Sequence, residues 1–358
     1  MKKINSLKLM FTFAGCFLGA GYVSGQELWQ FFGSFGNFGF IGIILSVVIL
    51  VVFGILLIRT AQMKNVTEMD KVVIVSDSKL ARAVFSFLEI FFLFGIYVVM
   101  TAGGGALLNQ LFGIPQYIGN LAFAAIVTVV ALIGMRGMVA AFSVTVPLMV
   151  IMSVIIFLFN ASRGELENIA FDKVTNDNPL IANWFISAVV FASYNLFASI
   201  GILTPLGREL KKKSTLFTGL ICGGVMLLMI AFCILLSLAS DTDCINAELP
   251  MLARASATGK PFEYIFAFLL FGGMFGTSVS SVFAITEYVK SKTDNTKNYG
   301  TVTVLVISVL SCAGSLLGFN SLIGIVYPLC GYSGLAGMVL IAVNYHKSRM
   351  QKSQEEKI

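Results

Sequence analysis

Apolar stretches of about twenty residues recur along the whole chain, each closed by a short polar or charged loop. That is the length a helix needs to cross a ~30 Å hydrocarbon layer. Windows of about 19 residues predict ten such spans. They fall at roughly 7–32, 38–58, 80–111, 117–135, 137–160, 181–206, 214–240, 261–289, 299–317 and 322–344.

The first span contains an interruption that a simple lipid-spanning helix would not carry. Gly19-Ala20-Gly21-Tyr22-Val23-Ser24-Gly25-Gln26-Glu27 lies between the apolar runs Leu7–Leu18 and Leu28–Phe32. Each glycine disfavours helix by about 1 kcal/mol relative to alanine. In hydrocarbon, unwound backbone survives only where protein or a polar cavity satisfies its N–H and C=O groups. A broken helix near mid-membrane therefore predicts the wall of a binding site. A second polar interruption, Ser193-Tyr194-Asn195, divides the largely apolar run Phe185–Leu203 in span 6.

Loop lengths repeat with the same offset of five spans. The loops after span 2 (Arg59–Lys79) and span 7 (Asp241–Lys260) are the long ones, and spans 3 and 8 are the long spans. Spans 1 and 6 both carry the interruptions. Such a pattern predicts two halves of five helices with inverted topology, as in secondary transporters whose discontinuous helices form a midplane site. The halves are expected at about 7–160 and 181–344, within one transmembrane domain spanning 1–344, with 345–358 as a tail outside the membrane.

Charge fixes the expected orientation. Of the 24 Lys and Arg residues, only Arg163, Lys173, Arg254 and Lys260 lie in the loops on one side. By the positive-inside rule both termini are then cytoplasmic, in the cell membrane. The net charge of +6 follows this sidedness, so it argues for no nucleic-acid partner. A composition that is 57% hydrophobic and 12% charged has too much apolar surface for a soluble core. Lys2, Lys3 and Lys8 before an apolar run resemble a signal peptide, and Phe13-Ala14-Gly15-Cys16 resembles a lipoprotein box. The run before Cys16 is at the short limit for cleavage, and apolar pattern continues to Phe32, so a retained span is expected. Six cysteines without metal or disulfide spacing, and the single His346, exclude His-based catalysis and zinc.

The interruptions carry a resemblance. Gly19-Ala20-Gly21-Tyr22-Val23-Ser24-Gly25-Gln26-Glu27-Leu28-Trp29 and Ala192-Ser193-Tyr194-Asn195-Leu196 resemble the YkvI-like permeases of bacteria. The ten-span arrangement resembles the LeuT-type fold of the amino acid–polyamine–cation superfamily. The resemblance implies an all-α membrane protein with a 5+5 inverted repeat and broken helices 1 and 6. It also implies a substrate site in which Gly19, Ala20 and Gly21 present backbone to the substrate's carboxylate. Free N–H groups at a helix start attract an anion; close helix packing through small residues is the competing reading. By the same resemblance, a sodium ion would sit between the span 8 hydroxyls of Ser280 and Ser281 and the carbonyls of Thr277, Gly15 and Leu18. No span 1 asparagine is present for a second sodium.

The remaining candidates come from the residues themselves. Ser193, Tyr194 and Asn195 offer donors and acceptors to a polar ligand, or interhelical hydrogen bonds. Tyr97 in span 3 is either a ring over the substrate or an ordinary packed tyrosine. Thr277 and Ser280 or Ser281 share a helix face at i, i+3 and i+4 spacing, or else bond their own helix backbone. Glu27 is an ionisable group inside a span, where such groups are costly and functional. It is a candidate to carry a proton, hold a cation or meet an ammonium; a water-facing vestibule is the blander reading. Glu89, Glu287 and Arg208 lie near the ends of spans 3, 8 and 6, as an inner gate or as snorkelling side chains. Residues 161–180 read as an external cap, and 241–260, with Pro250 opening Met251-Leu252-Ala253-Arg254-Ala255, as a helical lid.

These readings converge on a secondary transporter, a cation-coupled symporter for an amino acid or similar small zwitterionic or amine solute. Sodium or protons would be the coupling ion, with no other cofactor. A ligand sensor on the same fold, like a germinant-receptor subunit, is the alternative. An enzyme is excluded by the lack of any catalytic cluster, and a channel by the lack of a repeated filter.

Overall fold

A computed structural model of the protein describes residues 5–66, 72–74, 79–133, 138–169, 178–210, 212–292 and 296–355. Every regular element among them is helical. The first apolar segment contains three pieces, α1 (Ser6–Gly15), α2 (Ala20–Val23) and α3 (Gln26–Phe31). Then follow α4 (Asn37–Lys64), α5 (Lys79–Phe112), α6 (Gln116–Ile133), α7 (Met138–Ser162), α8 (Trp184–Glu209) and α9 (Lys213–Ala239). The last elements are α10 (Pro250–Thr258), α11 (Lys260–Lys292), α12 (Thr296–Ser315) and α13 (Phe319–Glu355). Among the described residues, seven helices are long and apolar enough to cross a membrane: α4, α5, α6, α8, α9, α11 and α13. The stretches 147–162 and 299–315 are shorter apolar helices.

Helix ends follow local chemistry. The Asn5 side chain accepts from the Lys8 amide at 2.8 Å, and Asn183 accepts from the amides of Phe185 and Ile186 at 3.0 and 2.9 Å. Both caps pair N–H groups that the first helical turn leaves without partners. Pro250 opens α10, where its missing N–H costs nothing.

Helix α4 shows how the bundle sits in lipid. Phe38, Ile41, Ile44, Val48 and Val52 form an exposed apolar stripe, while Ile43, Val47, Leu50, Leu57 and Ile58 on other faces are buried. A helix apolar all round belongs in a membrane. Lipid tails are as apolar as leucine, so burying such faces gains little; packing and interhelical hydrogen bonds do the holding, at about 0.6 kcal/mol per bond. Between α5, α6 and α12 the Tyr97 hydroxyl donates to Ser308 Oγ (3.1 Å), Thr128 donates to Ser308 (2.7 Å), and Thr101 shares a hydrogen with Ser311 (2.7 Å).

Two expectations need correction or extension. The sixth span is unbroken: α8 runs from Trp184 through Ser193-Tyr194-Asn195 to Glu209. The physical reason is that residues 184–200 include neither Gly nor Pro. Asn195 instead donates back to the Phe191 carbonyl (3.1 Å), and Ser199 to that of Leu196 (2.8 Å). At the other end, α13 continues past residue 345 to Glu355, and Asn344 Nδ2 donates to the Val72 carbonyl (2.6 Å). Lys173, residues 170–177 of the expected cap, and Lys211 lie outside the described residues.

Candidate functional site

The break in the first segment is wider than its glycines suggest. Helix α1 stops at Gly15, and the amides of Phe17 and Leu18 both turn back to the Ala14 carbonyl (3.0 and 3.1 Å). Gly19 is extended, with φ −76° and ψ 171°. As the last residue of α1, Gly15 has no following helical turn to supply its carbonyl with an N–H. The Leu18 carbonyl accepts no backbone N–H among the described residues. A Cβ placed on Gly15 or Gly19 would meet nothing within 4 Å, so open space adjoins this part of the break. Ala20 and Gly21 are not themselves unwound; they form the single turn of α2.

The α3 side is closed. Ser24, Gln26, Glu27, Leu28, Phe31 and Phe32 are all buried. Gly25 joins α2 to α3 at φ 82°, a left-handed conformation that favours glycine. Leu238, Met251 and Ile234 press against it, so a side chain there would also lack room. Tyr22 anchors α2 by donating to the Leu227 carbonyl of α9 (2.9 Å). The Met251 amide, at the start of α10, donates to the Ser24 carbonyl (2.9 Å).

Glu27 is the chemical centre of this region. It is 4% exposed, and its Oε1 accepts from the Tyr194 hydroxyl of α8. Its Oε2 lies 2.7 Å from where a Gly21 Cβ would stand. The Tyr327 ring of α13 stacks on Tyr194 with centroids 4.9 Å apart at 29°. Phe31 and Phe191 lie 5.7 and 5.5 Å from the same ring. The vestibule reading of Glu27 therefore fails, because its carboxylate is enclosed by α2, α8 and α13.

The other sequence candidates divide. Tyr194 reaches Glu27, and the Asn195 side chain also lies within hydrogen-bond reach of that carboxylate. Ser193 donates to the Gly331 carbonyl of α13 (2.8 Å), an interhelical bond, and Asn195 bonds its own helix. Tyr97 is fully buried against α12 with its hydroxyl on Ser308, so it is a packed tyrosine rather than a ring over the break. Ala20 faces α11, its Cβ 3.8 Å from where a Gly273 Cβ would be. On α11, Thr277 and Ser278 spend their hydroxyls on the carbonyls of Gly273 and Met274 (2.9 and 2.8 Å). Ser280 and Ser281 make no such bond among the described residues, which leaves both hydroxyls uncommitted, with Ser281 buried. Of the expected gate, Arg208 donates to the Asn65 carbonyl (2.8 Å), and Glu287 takes Lys290 of its own helix (2.9 Å). Glu89 is partly exposed on α5.

Several residues escaped the sequence reading. Tyr327 precedes Pro328 inside α13, and that pair was the available signal. Proline has no N–H for the carbonyl four residues back. That carbonyl, on Gly324, takes Asn178 Nδ2 instead (2.9 Å). Beyond Glu27, Gln26 Nε2 donates to Asn320 Oδ1 (2.6 Å) and Gln30 Nε2 to the Asn320 carbonyl (2.8 Å). The Asn320 amide donates to Glu248 (2.7 Å). This polar cluster joins α3 to the start of α13.

An ionic cluster fixes α10, the helix of the expected lid. Arg254 of α10 is buried; it pairs with Glu165 and with Asp241 (2.9 Å), and donates to Ser240 Oγ (3.1 Å). Burial pushes the Asp241 carboxyl up, but the Cys244 thiol, the Arg254 charge and the Asp243 amide outweigh it and hold its pKa below the ordinary value. Burial and the same Asp241 contact push the Cys244 thiol up to about 12.

No family model matches the chain. It is 27% identical over 338 residues to the uncharacterized membrane protein YkvI of Bacillus subtilis (strain 168), covering 93% of this chain and 94% of that one. The structure of MhsT in complex with L-phenylalanine matches 94% of this chain and 87% of its own, at TM-score 0.66 and 15% identity. An outward-open Na+-coupled sialic acid symporter matches 90% of this chain and 76% of its own, at TM-score 0.55 and 15% identity. These structures are LeuT-fold transporters, not enzymes. The chain is thus similar to YkvI over nearly its whole length and carries the LeuT-type fold.

Proposed function

We propose that the protein is a secondary active transporter, a cation-coupled symporter of an amino acid or similar small zwitterionic or amine solute. It works by alternating access around the broken first segment. The carrying observation is the asymmetry of that break: open space beside Gly15 and Gly19, and a sealed wall from Ser24 to Phe32 with a buried carboxylate behind it. With both termini cytoplasmic in the cell membrane, this conformation faces inward.

A 5+5 inverted repeat within residues 1–344 is supported by how the helices meet. Numbering α1–α3 as span 1 and α4 to α9 as spans 2 to 7, span 2 packs on span 6 and span 1 on span 7. Exchanging each span with its partner five places on turns one contact into the other. Likewise α5 packs on α6 as α11 packs on α12, and α5 on α13 as α11 on α7.

For coupling, the uncommitted hydroxyls of Ser280 and Ser281 and the free carbonyls of Gly15 and Leu18 are all oxygen, the ligand type a hard cation prefers. They suit sodium, with α11 packed on α2. Glu27 would serve instead if protons drive transport. The substrate region lies around Gly19, Ala20, Gly21, Glu27 and Tyr194. Reconstituted protein should accumulate labelled solute when a sodium or pH gradient is imposed and lose it when the gradient collapses. Binding without accumulation under either gradient would indicate a sensor instead.

A further inference from the structure

A cavity of about 390 Å³ lies between the ends of three helices. Leu132 of α6, Thr286 and Lys290 of α11, and Gly300, Thr301 and Val304 of α12 line it. It is remote from the broken segment: Lys290 stands about 25 Å along α11 from Gly273, which meets Ala20. The C-terminal ends of α6 and α11 and the beginning of α12 share the side that the basic loops assign to the cytoplasm. In sequence, Arg136, Lys292 and Lys297 occupy the connections at this edge, with Glu287 and Asp294 as the nearby acids.

Lys290 is set across Gly300. A Cβ there would stand 2.5 Å from Lys290 Cε and 3.6 Å from Nζ, so the absent side chain lets the lysine stem lie against α12. The ammonium donates to Glu287 Oε1, three residues back on α11 (2.9 Å), and an ammonium has further N–H donors to give. Glu287 is half exposed, so water screens that pair and a second anion can share the lysine. The Thr286 hydroxyl is spent on the Val282 carbonyl (2.7 Å). The cavity's strong donor is therefore Lys290.

Its depth suits a lipid headgroup. Helix α12 has 20 residues, enough to cross the hydrocarbon layer once. At 1.5 Å per residue, Gly300 to Val304 lie about 6 to 12 Å from its start, where headgroups give way to acyl chains. Tyr299 is exposed beside them, at the level where tyrosines gather. Leu132 is exposed too, so the cavity meets lipid along α6. The groove of about 220 Å³ between α5, α11 and α12 differs in kind. Phe87, Phe91, Ile285, Ile307 and its other lining residues are all apolar, so any lipid tail fills it equally.

We propose that the cavity between α6, α11 and α12 binds the headgroup of an anionic phospholipid from the cytoplasmic leaflet. The phosphate sits on the Lys290 ammonium, and the first acyl carbons run along Leu132 and Val304. Basic pockets between membrane helices on this side attract such headgroups electrostatically. A zwitterionic choline lipid brings its own cation to the lysine and is disfavoured.

The test counts lipids bound to the detergent-purified full-length protein by native mass spectrometry, with dioleoyl phosphatidylglycerol and dioleoyl phosphatidylcholine as probes. The glycerol lipid should bind at least about fivefold tighter, equivalent to about 1 kcal/mol. Lys290→Gln should remove that preference, and Gly300→Val, which displaces the lysine, should remove it too. Glu287→Gln should strengthen it by freeing the ammonium. Lys213→Gln, at the start of α9 on the same side, should leave it unchanged. Equal binding of the two lipids by the wild type overturns the inference. So does a preference that survives Lys290→Gln, or one that Lys213→Gln reduces as much, which would mark a diffuse surface charge. Glycerol 3-phosphate competing as well as the intact lipid would overturn the lipid as the ligand. The wild-type comparison stands even where a variant fails to fold.

Discussion

The backbone amide of Met251 donates to the backbone carbonyl of Ser24 at 2.9 Å, tying the second residue of α10 to the gap between α2 and α3. The bond exists because both partners are left over by their own helices. Met251 lies in a first turn, whose N–H groups have no intrahelical acceptor, and Ser24 lies where the first segment changes direction at Gly25. Helix α10 and the broken span thus complete each other's backbone, and moving one disturbs the other.

Met251→Pro tests that latch, since proline is tolerated in the first turn of a helix and lacks the N–H; because it also removes a buried side chain packed on Gly25, Met251→Ala, which keeps the N–H, is the reference for it. Losing one hydrogen bond costs about 1 kcal/mol, a factor of about five in the open population. In a cysteine-free background carrying Ser24→Cys, an impermeant thiol reagent added on the α10 side should react about fivefold faster in Met251→Pro than in Met251→Ala. An unchanged rate would show that the lid does not hold the break.

Gly21 is tested by size. A Cβ there would stand 2.7 Å from Glu27 Oε2, so even Gly21→Ala must push the carboxylate aside, and Gly21→Leu would fill the approach. We expect Gly21→Ala to weaken solute binding and Gly21→Leu to abolish it, with membrane insertion and monodispersity retained. Wild-type affinity in a folded Gly21→Leu protein would remove Gly21 from the site.

Sodium coupling predicts a double variant. Replacing Ser280 and Ser281 together by alanine should shift the sodium dependence of uptake at least tenfold, equivalent to about 1.4 kcal/mol. Thr277→Val is the comparison, since the Thr277 hydroxyl is already committed to Gly273 and only its carbonyl is proposed as a ligand. Uptake that ignores sodium in the wild type would leave the serines as packing residues and protons as the coupling ion.

The ionic cluster on α10 predicts a pH dependence with a definite sign. Asp241 has a depressed pKa in the folded protein, so its contribution is fully present above the ordinary carboxylate value of about 3.9 and is lost as pH falls through the depressed value. Amide exchange in α10 should therefore be flat from pH 7 to about pH 4, after correction for intrinsic rates, and rise below that. Asp241→Asn should raise exchange at neutral pH and flatten the acid response attributable to this group. Arg254→Ala should raise it more, because it strands the Glu165 and Asp241 charges together. Exchange identical to wild type in both variants would rule out the ionic cluster as the lid's anchor.

Much of this molecule was legible in its sequence. The period and length of apolar runs depend on the bilayer, a uniform solvent, so they mark membrane helices without knowledge of what packs where. The interruption from Gly19 to Glu27 could be read as a break because glycine's cost in a helix and a carboxylate's cost in lipid are both local properties. Pro250 announced the lid helix for the same reason.

The polar run in α8 does not break the helix, because Ser193 and Asn195 can satisfy themselves on backbone carbonyls without unwinding it, which sequence does not reveal. Which tyrosine faces the carboxylate was equally hidden: Tyr97 and Tyr327 are both apolar-flanked residues in spans, yet rotation of α5 and α13 in the bundle sends one to Ser308 and the other onto Tyr194. Composition and spacing alone determined that this chain spans a membrane and where its first helix cannot continue. Only the tertiary structure decided what faces Glu27, because the direction of a side chain from an apolar helix is set by the neighbours it packs against, and lipid imposes no preference of its own.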